Sequence, residues 1–285
     1  MLKHYYKIIE LFETVLNILM VLILNVRYLF HKTRYPKIKN DSIQVLGNGP
    51  SLKDDIPEIL KKRENSPLMV VNTFATTDLF EKLKPEYYIM IDPAFFSPPK
   101  NERIKKVQET TTDALIEKTR WKLHLFIPIS GRKSSLVKSI KNRNKNIKII
   151  EFKNIPVIGG SDLLNTFLFK NNLANPLYKN VLNTSIFLAI KMKFSKILIW
   201  GGDHSWIKDL SVNNQNEVFY GDRHVYNPKL TFIKEDKPFH SVLLSFALMF
   251  KSHHQISRYA KKIGVSLLNY SSDSFIDSYQ KSNKK

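Results

Sequence analysis

Val45-Leu46-Gly47-Asn48-Gly49-Pro50-Ser51-Leu52 is the stretch that decides the fold of this 285-residue chain. It continues an apolar, strand-like run from Ile43, and a helix-like segment, 53–62, follows it. A strand, a glycine-rich turn and a helix start build a phosphate site in α/β proteins. The glycines would let the backbone approach a ligand, and Ser51 would cap the helix, whose free N–H groups favour an anion. The stretch therefore predicts a site for an activated nucleotide compound.

Composition limits the class of protein. A hydrophobic content of 43% is enough for a full core, and one α/β domain is expected over 42–279, followed by a flexible tail, 280–285. A net charge of +20 is typical of proteins that bind an anionic partner, such as nucleic acid, a membrane surface or an anionic substrate. The lysines are spread along the chain and no nucleic-acid motif is present, so we expect no nucleic-acid partner. The absence of cysteine excludes disulfides and cysteine-based zinc sites.

The N-terminal residues 1–30 carry the second signal, a membrane-associating helix that is amphipathic or hydrophobic. Asn17 and Asn25 interrupt its apolar run, whereas a spanning helix needs roughly 20 apolar residues. Basic residues flank the segment, and 31–41 forms a basic linker. We therefore expect residues 5–30 to anchor the protein at the cytoplasmic face of a membrane, lying in its plane rather than spanning it. The alternative is a core helix packed on the domain.

Strand-like and helix-like patterns alternate through the rest of the chain. Strands are predicted at Ile43–Leu46, Leu68–Val71, Tyr87–Ile91, Leu123–Ile127, Ile147–Phe152, Ile197–Trp200 and Val265–Leu268. Helices are predicted at 55–63, 75–83, 101–118, 162–171, 180–193 and 241–262. This alternation predicts a single Rossmann-like domain with a mostly parallel sheet and helices on both faces. Residues 207–239 are polar without a clear period, which is typical of a lid, a binding loop or disorder.

Polar residues follow several of the predicted strands. Asn72 and Thr73 follow the second strand, Asp92 follows the third, and Gly201-Gly202-Asp203-His204 follows a later one, while His240 opens the last long helix. The carboxyl ends of parallel strands meet in one crevice, so these residues are candidates for a shared site. Each also has a structural interpretation: a helix cap, a turn residue before proline, or an acceptor for loop amides.

The order of these motifs resembles a known family. The motifs occur in the order Gly-Asn-Gly-Pro-Ser-Leu, Asn-x-Phe, a strand ending in x-Pro, and a strand ending in Gly-x-Asp. This order is similar to that of the bacterial sialyltransferases of glycosyltransferase family 42. It resembles even more a branch grouped with them in surface-polysaccharide gene clusters, which shares the archaeal 6-hydroxymethylpterin pyrophosphokinase-like domain. Gly-Gly-Asp-His-Ser-Trp at 201–206, Asn269-Tyr270-Ser271 and Phe275-Ile276-Asp277 are features of that branch. The resemblance covers roughly residues 43–279.

The resemblance implies a metal-independent, inverting glycosyltransferase with a GT-A-like variant of the Rossmann-like domain and a lid. The donor would be a CMP-sugar, a nonulosonic acid such as sialic acid or Kdo. The acceptor would be a cell-surface glycan or glycolipid, in lipopolysaccharide, lipooligosaccharide or capsule assembly at the bacterial inner membrane. No cofactor is expected, and a homo-oligomer is compatible with the sequence.

The resemblance also implies roles for individual residues. A histidine after the lid acts as general base in the family, which points to His240, and an imidazole with a pKa near neutrality suits that task. Asp203 and His204 are the rival catalytic pair. Lid tyrosines stabilise the leaving phosphate in the family, and Tyr220 and Tyr226 have that position. The implied donor-binding residues are Gly47, Asn48, Gly49, Pro50, Ser51, Asn72, Thr73, Asp92, Gly201 and Gly202.

Two departures from the sialyltransferase pattern leave the donor open. Thr73 replaces a glutamine and Asp92 replaces an asparagine, and an extra carboxylate would repel an anionic donor. One alternative is a pterin pyrophosphokinase-like transferase that uses ATP and magnesium, with Asp92, Asp203 and His204 serving the metal. A second alternative is a non-catalytic nucleotide-binding factor in polysaccharide assembly.

Overall fold

The computed structural model describes residues 2–28, 31–224 and 227–282 of the chain. The helices are α1 (Leu2–Arg27), α2 (Leu52–Lys62), α3 (Leu79–Leu83), α4 (Glu102–Lys118), α5 (Ser135–Arg143), α6 (Asp162–Lys170), α7 (Val181–Lys191) and α8 (Phe239–Lys262). The strands are β1 (Ser42–Leu46), β2 (Leu68–Val71), β3 (Tyr87–Ile89), β4 (Leu123–Pro128), β5 (Ile147–Phe152), β6 (Pro156–Val157), β7 (Asn175–Pro176), β8 (Lys196–Trp200), β9 (Ser211–Val212), β10 (Val218–His224), β11 (Asn227–Glu235), β12 (Ser266–Asn269) and β13 (Gln280–Lys281).

Eight of these strands form one sheet in the order β13-β12-β8-β1-β2-β3-β4-β5, and its described pairings are parallel. The chain runs outward from β1 in one direction through β5 and then returns to add β8 on the other side of β1. Leu46 of β1 pairs with Trp200 of β8, so the two strands end together. This reversal of direction is where open α/β sheets bind their ligands. The fold confirms the predicted α/β architecture.

Side chains of the central strand alternate between two cores. Ile43 and Val45 pack on the face covered by α1, α6, α7 and α8, whereas Leu46 packs on the face covered by α2 to α5. All three side chains are fully buried. A parallel sheet with helices on both faces buries both sets of side chains, which explains why β1 reads as a continuous apolar run.

Helix α1 lies on the domain with its polar residues facing inward. The Asn17 side chain, 2% exposed, donates to the carbonyl oxygens of Ile158 and Gly159, both at 3.3 Å. Asn25 donates to the carbonyl oxygen of Leu173 at 2.8 Å, and Glu13 accepts from the Gly160 backbone N–H at 2.9 Å. The residues that interrupt the apolar run are therefore the ones that dock the helix.

The apolar side chains of α1 point mainly to solvent. Leu11, Phe12, Leu22 and Ile23 are all more than 60% exposed, and Val21 is the buried exception. By length and composition the helix from His4 to Arg27 is sufficient to cross a membrane. Its docked polar side and its exposed apolar side agree with an in-plane arrangement, and membrane association stays a prediction.

The segment 207–239 is not irregular, and that part of the sequence interpretation was wrong. A short 3-10 turn, Ser205–Asp209, is followed by an antiparallel sheet in the order β11-β10-β9. Val218 pairs with Glu235 and Tyr220 pairs with Ile233. The strands carry charged residues that obscure their alternation, so pairing rather than pattern defines them. Its function as a lid stays a prediction. Helix α5 was also missed, although Ser134 caps it by accepting from the Val137 N–H.

Candidate functional site

A cavity of about 170 Å³ opens at the carboxyl ends of β1, β2 and β8. Three predicted segments meet in its wall: 47–50 after β1, Asn72 after β2, and Gly201 with 203–206 after β8. The first turn of α7, with the preceding Asn180, closes one side. The switch point of the sheet therefore brings together residues far apart in sequence, as the strand-end pattern predicted.

The glycines of the opening motif hold two loops together. The Gly47 N–H donates to the Trp200 carbonyl oxygen at 2.8 Å, and the Gly49 N–H donates to the Gly201 carbonyl oxygen at 2.9 Å. A Cβ atom at position 47 would lie 2.4 Å from the Gly201 carbonyl oxygen, and one at position 49 would lie 2.5 Å from it. Both positions therefore exclude side chains for packing reasons. A contact of either glycine with a nucleotide-sugar donor stays a prediction.

Asp203 joins the loop after β8 to the start of α2. Its carboxylate accepts from the Ser51 backbone N–H at 2.8 Å and from the Ser51 hydroxyl at 2.5 Å. The predicted cap by Ser51 is wrong, because its hydroxyl bonds to Asp203 rather than to an α2 N–H. The carboxylate itself supplies the negative charge that a helix start favours.

Two opposing effects act on the pKa of Asp203. Burial raises the pKa of this carboxyl, which is 2% exposed, and the hydrogen bonds from Ser51 oppose that shift without cancelling it. Both oxygens are directed at Ser51, which matches the interpretation of Asp203 as an acceptor for loop groups. A catalytic role for it stays a prediction.

His204 lies in a buried chain of hydrogen bonds whose protons can be assigned. The side-chain oxygen Oδ1 of Asn180 accepts from the Asn183 N–H at 2.9 Å. The side-chain nitrogen Nδ2 of Asn180 must therefore face His204 Nε2, 2.9 Å away, and donate to it. His204 Nε2 therefore carries no proton. His253 Nε2 lies 2.9 Å from the same atom and must donate to it. His253 Nδ1 then accepts from the Tyr279 hydroxyl at 2.7 Å.

This assignment leaves the proton of His204 on Nδ1. This nitrogen has no hydrogen-bond acceptor among the described residues, and it is not fully enclosed by protein atoms. Burial lowers the pKa of His204 to about 3, and burial with the neighbouring His204 and His254 rings holds the pKa of His253 well below its usual value. His204, stacked on Trp206 with ring centroids 4.7 Å apart, is thus a neutral N–H donor in the cavity wall.

Two amide oxygens in the same wall lack donors. The side-chain oxygens of Asn48 and Asn72 are enclosed, and neither has a hydrogen-bond partner among the described residues. Asn72 has a left-handed backbone with φ of 47°, and the Tyr88 hydroxyl holds it by donating to its carbonyl oxygen. Buried acceptors without donors are costly, so a ligand with hydroxyl or amino groups would satisfy them.

Other predicted residues lie outside this cavity wall. Asp92 is exposed and accepts from the Ala94 N–H at 2.9 Å, as a turn residue does. Thr73 is half-buried in the 3-10 turn Asn72–Thr76, next to the wall. Gly202 donates its N–H to the Ser271 hydroxyl at 2.8 Å, which braces the strand end from behind. The predicted contacts of Asp92, Thr73 and Gly202 with a nucleotide-sugar donor stay predictions.

The remaining predicted residues belong to the hairpin and α8. His240 is exposed on the first turn of α8, and its Nε2 lies 3.1 Å from the Ser241 hydroxyl oxygen. Tyr220 lines a second cavity of about 220 Å³, which shares Trp206 with the first. Tyr226 lies outside the described residues. The structure therefore brings His204, and not His240, into the cavity wall.

The described residues do not fit a metal held by protein side chains. Among residues 2–28, 31–224 and 227–282, no group of three His, Asp or Glu side chains could hold an ion. Asp203 is committed to Ser51, and Asp92 is exposed in its turn outside the cavity wall. The metal site of the pyrophosphokinase alternative therefore has no support in these side chains. Independence from metal stays a prediction.

The sequence interpretation missed the support behind His204. His253, which supports His204 from α8, is completely buried. Its spacing from Met249 and Ile256, both buried, places it on the apolar stripe of α8, and that periodicity is the signal that could have found it. Asn180 and Tyr279 carried no comparable signal.

A protein family matches most of this architecture. The family described as 6-hydroxymethylpterin diphosphokinase MptE-like matches residues 15–209. The chain belongs to the MptE-like family. The match contains all three segments of the cavity wall, and it confirms the resemblance to the branch that shares this domain. No curated protein matches this MptE-like chain.

This MptE-like protein is also similar to a solved structure, that of the MAf glycosyltransferase from Magnetospirillum magneticum AMB-1. The identity is 12% and the TM-score is 0.48, over 88% of this chain and 35% of that chain. The MptE-like chain thus spans about a third of the length of that glycosyltransferase.

Proposed function

We propose that this MptE-like protein is a membrane-associated glycosyltransferase. It transfers a sugar from a nucleotide-activated donor, a CMP-linked nonulosonic acid such as sialic acid or Kdo, to a cell-surface glycan or lipooligosaccharide acceptor. The observation that carries the proposal is the cavity at the switch point. In its wall, the side-chain oxygens of Asn48 and Asn72 can accept hydrogen bonds from a ligand, and the His204 N–H can donate one. A nucleotide has the matching hydroxyl and amino donors and the matching phosphate acceptor.

The proposed chemistry assigns His204 to the leaving group. The acceptor hydroxyl oxygen forms a bond to the anomeric carbon while the bond from that carbon to the phosphate oxygen breaks, and the electron pair remains on the phosphate. A neutral N–H donor aimed at that oxygen stabilises the growing charge and needs no proton transfer. A ring whose pKa is lowered to about 3 suits this task better than the task of a base.

The base that takes the acceptor proton belongs to the open side of the site. His240 is the candidate, because it is exposed on the first turn of α8, close along the chain to Val242 in the second cavity. Tyr220 lines the same second cavity and is the candidate partner of the leaving phosphate. Closure of the hairpin would be needed to bring these groups to the donor.

The exposed apolar face of α1 supports the membrane part of the proposal. An enzyme that modifies lipid-linked glycans gains from lying on the membrane surface, and a helix with one apolar face and flanking basic residues binds such a surface in its plane. The cytoplasmic face of the bacterial inner membrane is the proposed location.

A second candidate function is a pterin diphosphokinase-like transfer from ATP, which the family description favours. Such a reaction uses soluble substrates, so it gives no reason for an exposed apolar face on α1. It also calls for magnesium, and the two carboxylates predicted to serve the metal do not converge: Asp203 is bonded to Ser51, and Asp92 is exposed outside the cavity wall.

Nucleotide binding separates the two functions. We expect CMP, without magnesium, to raise the melting temperature of the full chain in detergent micelles more than CDP, UDP, GDP or ATP does. Asn48→Ala and Asn72→Ala should abolish that rise, whereas Asn142→Ala, at an exposed position of α5, should preserve it. Stabilisation by ATP alone and only with magnesium would support the diphosphokinase. No stabilisation by any nucleotide would contradict both enzymes and the nucleotide-binding assembly factor alike.

A further inference from the structure

A second kind of site lies at the end of the anchor helix. A cavity of about 370 Å³ is enclosed between the segment that follows α1, the end of β5 and the C-terminal half of α7. Its wall carries the basic side chains His31, Lys32, Lys153 and Lys191 and the phenol rings of Tyr35 and Tyr178. No Asp or Glu of the described chain lines it. This composition is typical of an anion site.

Lys153 is the sharpest indication. It is half-buried, burial lowers its pKa, and it has neither a hydrogen bond nor an ion pair within the described chain. The carboxylate of Glu151, two residues earlier in the chain, forms its ion pair with Lys141 at 3.8 Å instead. Partial removal of an ammonium group from water is unfavourable unless an anion compensates it, so Lys153 lacks the partner that this position calls for.

Lys191 reinforces the same wall from α7. Its ammonium donates to the carbonyl oxygen of Phe169 at 2.5 Å, and burial lowers its pKa to about 8. Its positive charge therefore has backbone dipoles around it but no carboxylate among the described residues. An anion in the cavity would stabilise the charged forms of both lysines.

The basic surface continues to the membrane-facing helix. A cavity of about 450 Å³ shares His31 with the first and is lined by Arg27, Arg132 and Lys133. Arg27 is the last residue of α1, and the preceding Val26 is 72% exposed on its apolar face. The second cavity therefore lies at the C-terminal end of the helix that is proposed to lie in the membrane plane.

We propose that the cavity around Lys153 binds the phosphate group of an anionic membrane lipid whose chains lie beside the apolar face of α1. This inference rests on the membrane association in the proposed function. The site is distinct from the nucleotide cavity, because Leu182 at one end of α7 lines that cavity and Lys191 at the other end lines this one. Nine residue steps along a helix separate them by roughly 14 Å.

The test compares a cavity lysine with a nearby surface arginine. Lys153→Gln removes one charge from the cavity, and Lys153→Arg keeps it. Arg34→Gln removes one charge at an exposed residue that lines neither cavity. Each full-length protein is sedimented with phosphatidylcholine vesicles that contain or lack phosphatidic acid. We expect Lys153→Gln to weaken binding to the anionic vesicles by more than about tenfold, beyond the effect of one charge near such a surface, and Lys153→Arg to restore it. Arg34→Gln should weaken binding by no more than about fivefold, which is roughly the effect of one charge.

Three outcomes would overturn the inference. Equal losses for Lys153→Gln and Arg34→Gln would mean diffuse attraction to the surface. No preference of the unmodified protein for anionic vesicles would mean that no lipid phosphate is bound. Tight binding of inorganic phosphate in detergent, dependent on Lys153 and without a vesicle effect, would assign the cavity to a soluble anion. Because CMP stabilisation of the Lys153→Gln protein is measured in parallel, failure of the lipid site is distinguishable from failure of the nucleotide site.

Discussion

The Nε2 atoms of His204 and His253 lie 2.9 Å apart in the protein interior and share one proton. The orientation of Asn180 decides which ring holds it, because the amide nitrogen already donates to His204. His253 must therefore be the donor of the pair. Burial lowers the pKa of both rings, so the pair remains neutral at physiological pH.

This neutral pair predicts a pH dependence of stability. Below pH 6.5, the ordinary pKa of histidine, the unfolded chain binds protons that the folded pair does not bind. The reason is that burial lowers the pKa of His204 in the folded protein to about 3. The free energy of unfolding should therefore fall as the pH is lowered from about 6.5 toward 3, by up to ~1.4 kcal/mol per pH unit for each histidine. Urea denaturation in detergent between pH 5 and 8 measures the slope.

The chain offers a matched control for this slope in the neighbouring residue. His253→Gln keeps a donor for His204 but removes one titrating group, so the slope should decrease. His254→Gln is the comparison, because that ring is exposed and lies outside the buried pair. An equal slope in the unmodified and His253→Gln proteins would show that this ring is not held neutral.

The contact between the two loops predicts a severe effect of small side chains. Gly47→Ala and Gly49→Ala would each force a Cβ into the Gly201 carbonyl oxygen, and we expect a loss of about 1–3 kcal/mol in the free energy of unfolding. Gly264→Ala is the comparison, because nothing lies within 4 Å of its Cβ. Its cost should be only the ~1 kcal/mol of a left-handed backbone. Similar melting temperatures for all three variants would contradict the close approach.

Asp203 and Ser51 predict a difference between two replacements. In Asp203→Asn, the amide oxygen can accept from the Ser51 N–H while the Ser51 hydroxyl turns to accept from the amide nitrogen, so stability should change by less than ~1 kcal/mol. Asp203→Ala leaves both Ser51 groups without a partner and should cost about 1–3 kcal/mol. Chemical denaturation measures both values.

The same pair of variants tests the role of Asp203 in transfer. With a structural role, Asp203→Asn retains most of the transferase activity with a CMP-sugar. If the Asp203→Asn protein is folded but has lost its activity, the carboxylate of Asp203 has a catalytic role.

The two sides of α1 predict separable defects. Leu19→Asp with Ile23→Asp, at positions 53% and 69% exposed, should reduce vesicle binding about tenfold or more and leave the melting temperature in detergent nearly unchanged. Asn17→Ala should do the reverse, because it removes hydrogen bonds to Ile158 and Gly159 without altering the apolar face. If the aspartates destabilise the fold instead, that face packs against protein.

Much of the fold could be predicted because it follows from local patterns. The strands Leu68–Val71 and Ile147–Phe152 have the predicted bounds, since buried parallel strands are short apolar runs between turn residues. The strands of 207–239 escaped prediction because an antiparallel pair on the surface needs no apolar run, and its register depends on contact with the partner strand.

The sequence by itself determined the α/β class, the glycine turn after β1 and the gathering of polar residues at the strand ends, because these follow from chain-local geometry and from the direction of parallel strands. Only the tertiary structure decided what each polar group does. Ser51 meets Asp203 across 152 positions, and His204 meets His253 across 49. Packing sets such partners, and with them the position of each proton. The hydroxyl that was predicted to cap a helix therefore links two loops instead, and His204 lies as a neutral ring in a buried chain of hydrogen bonds.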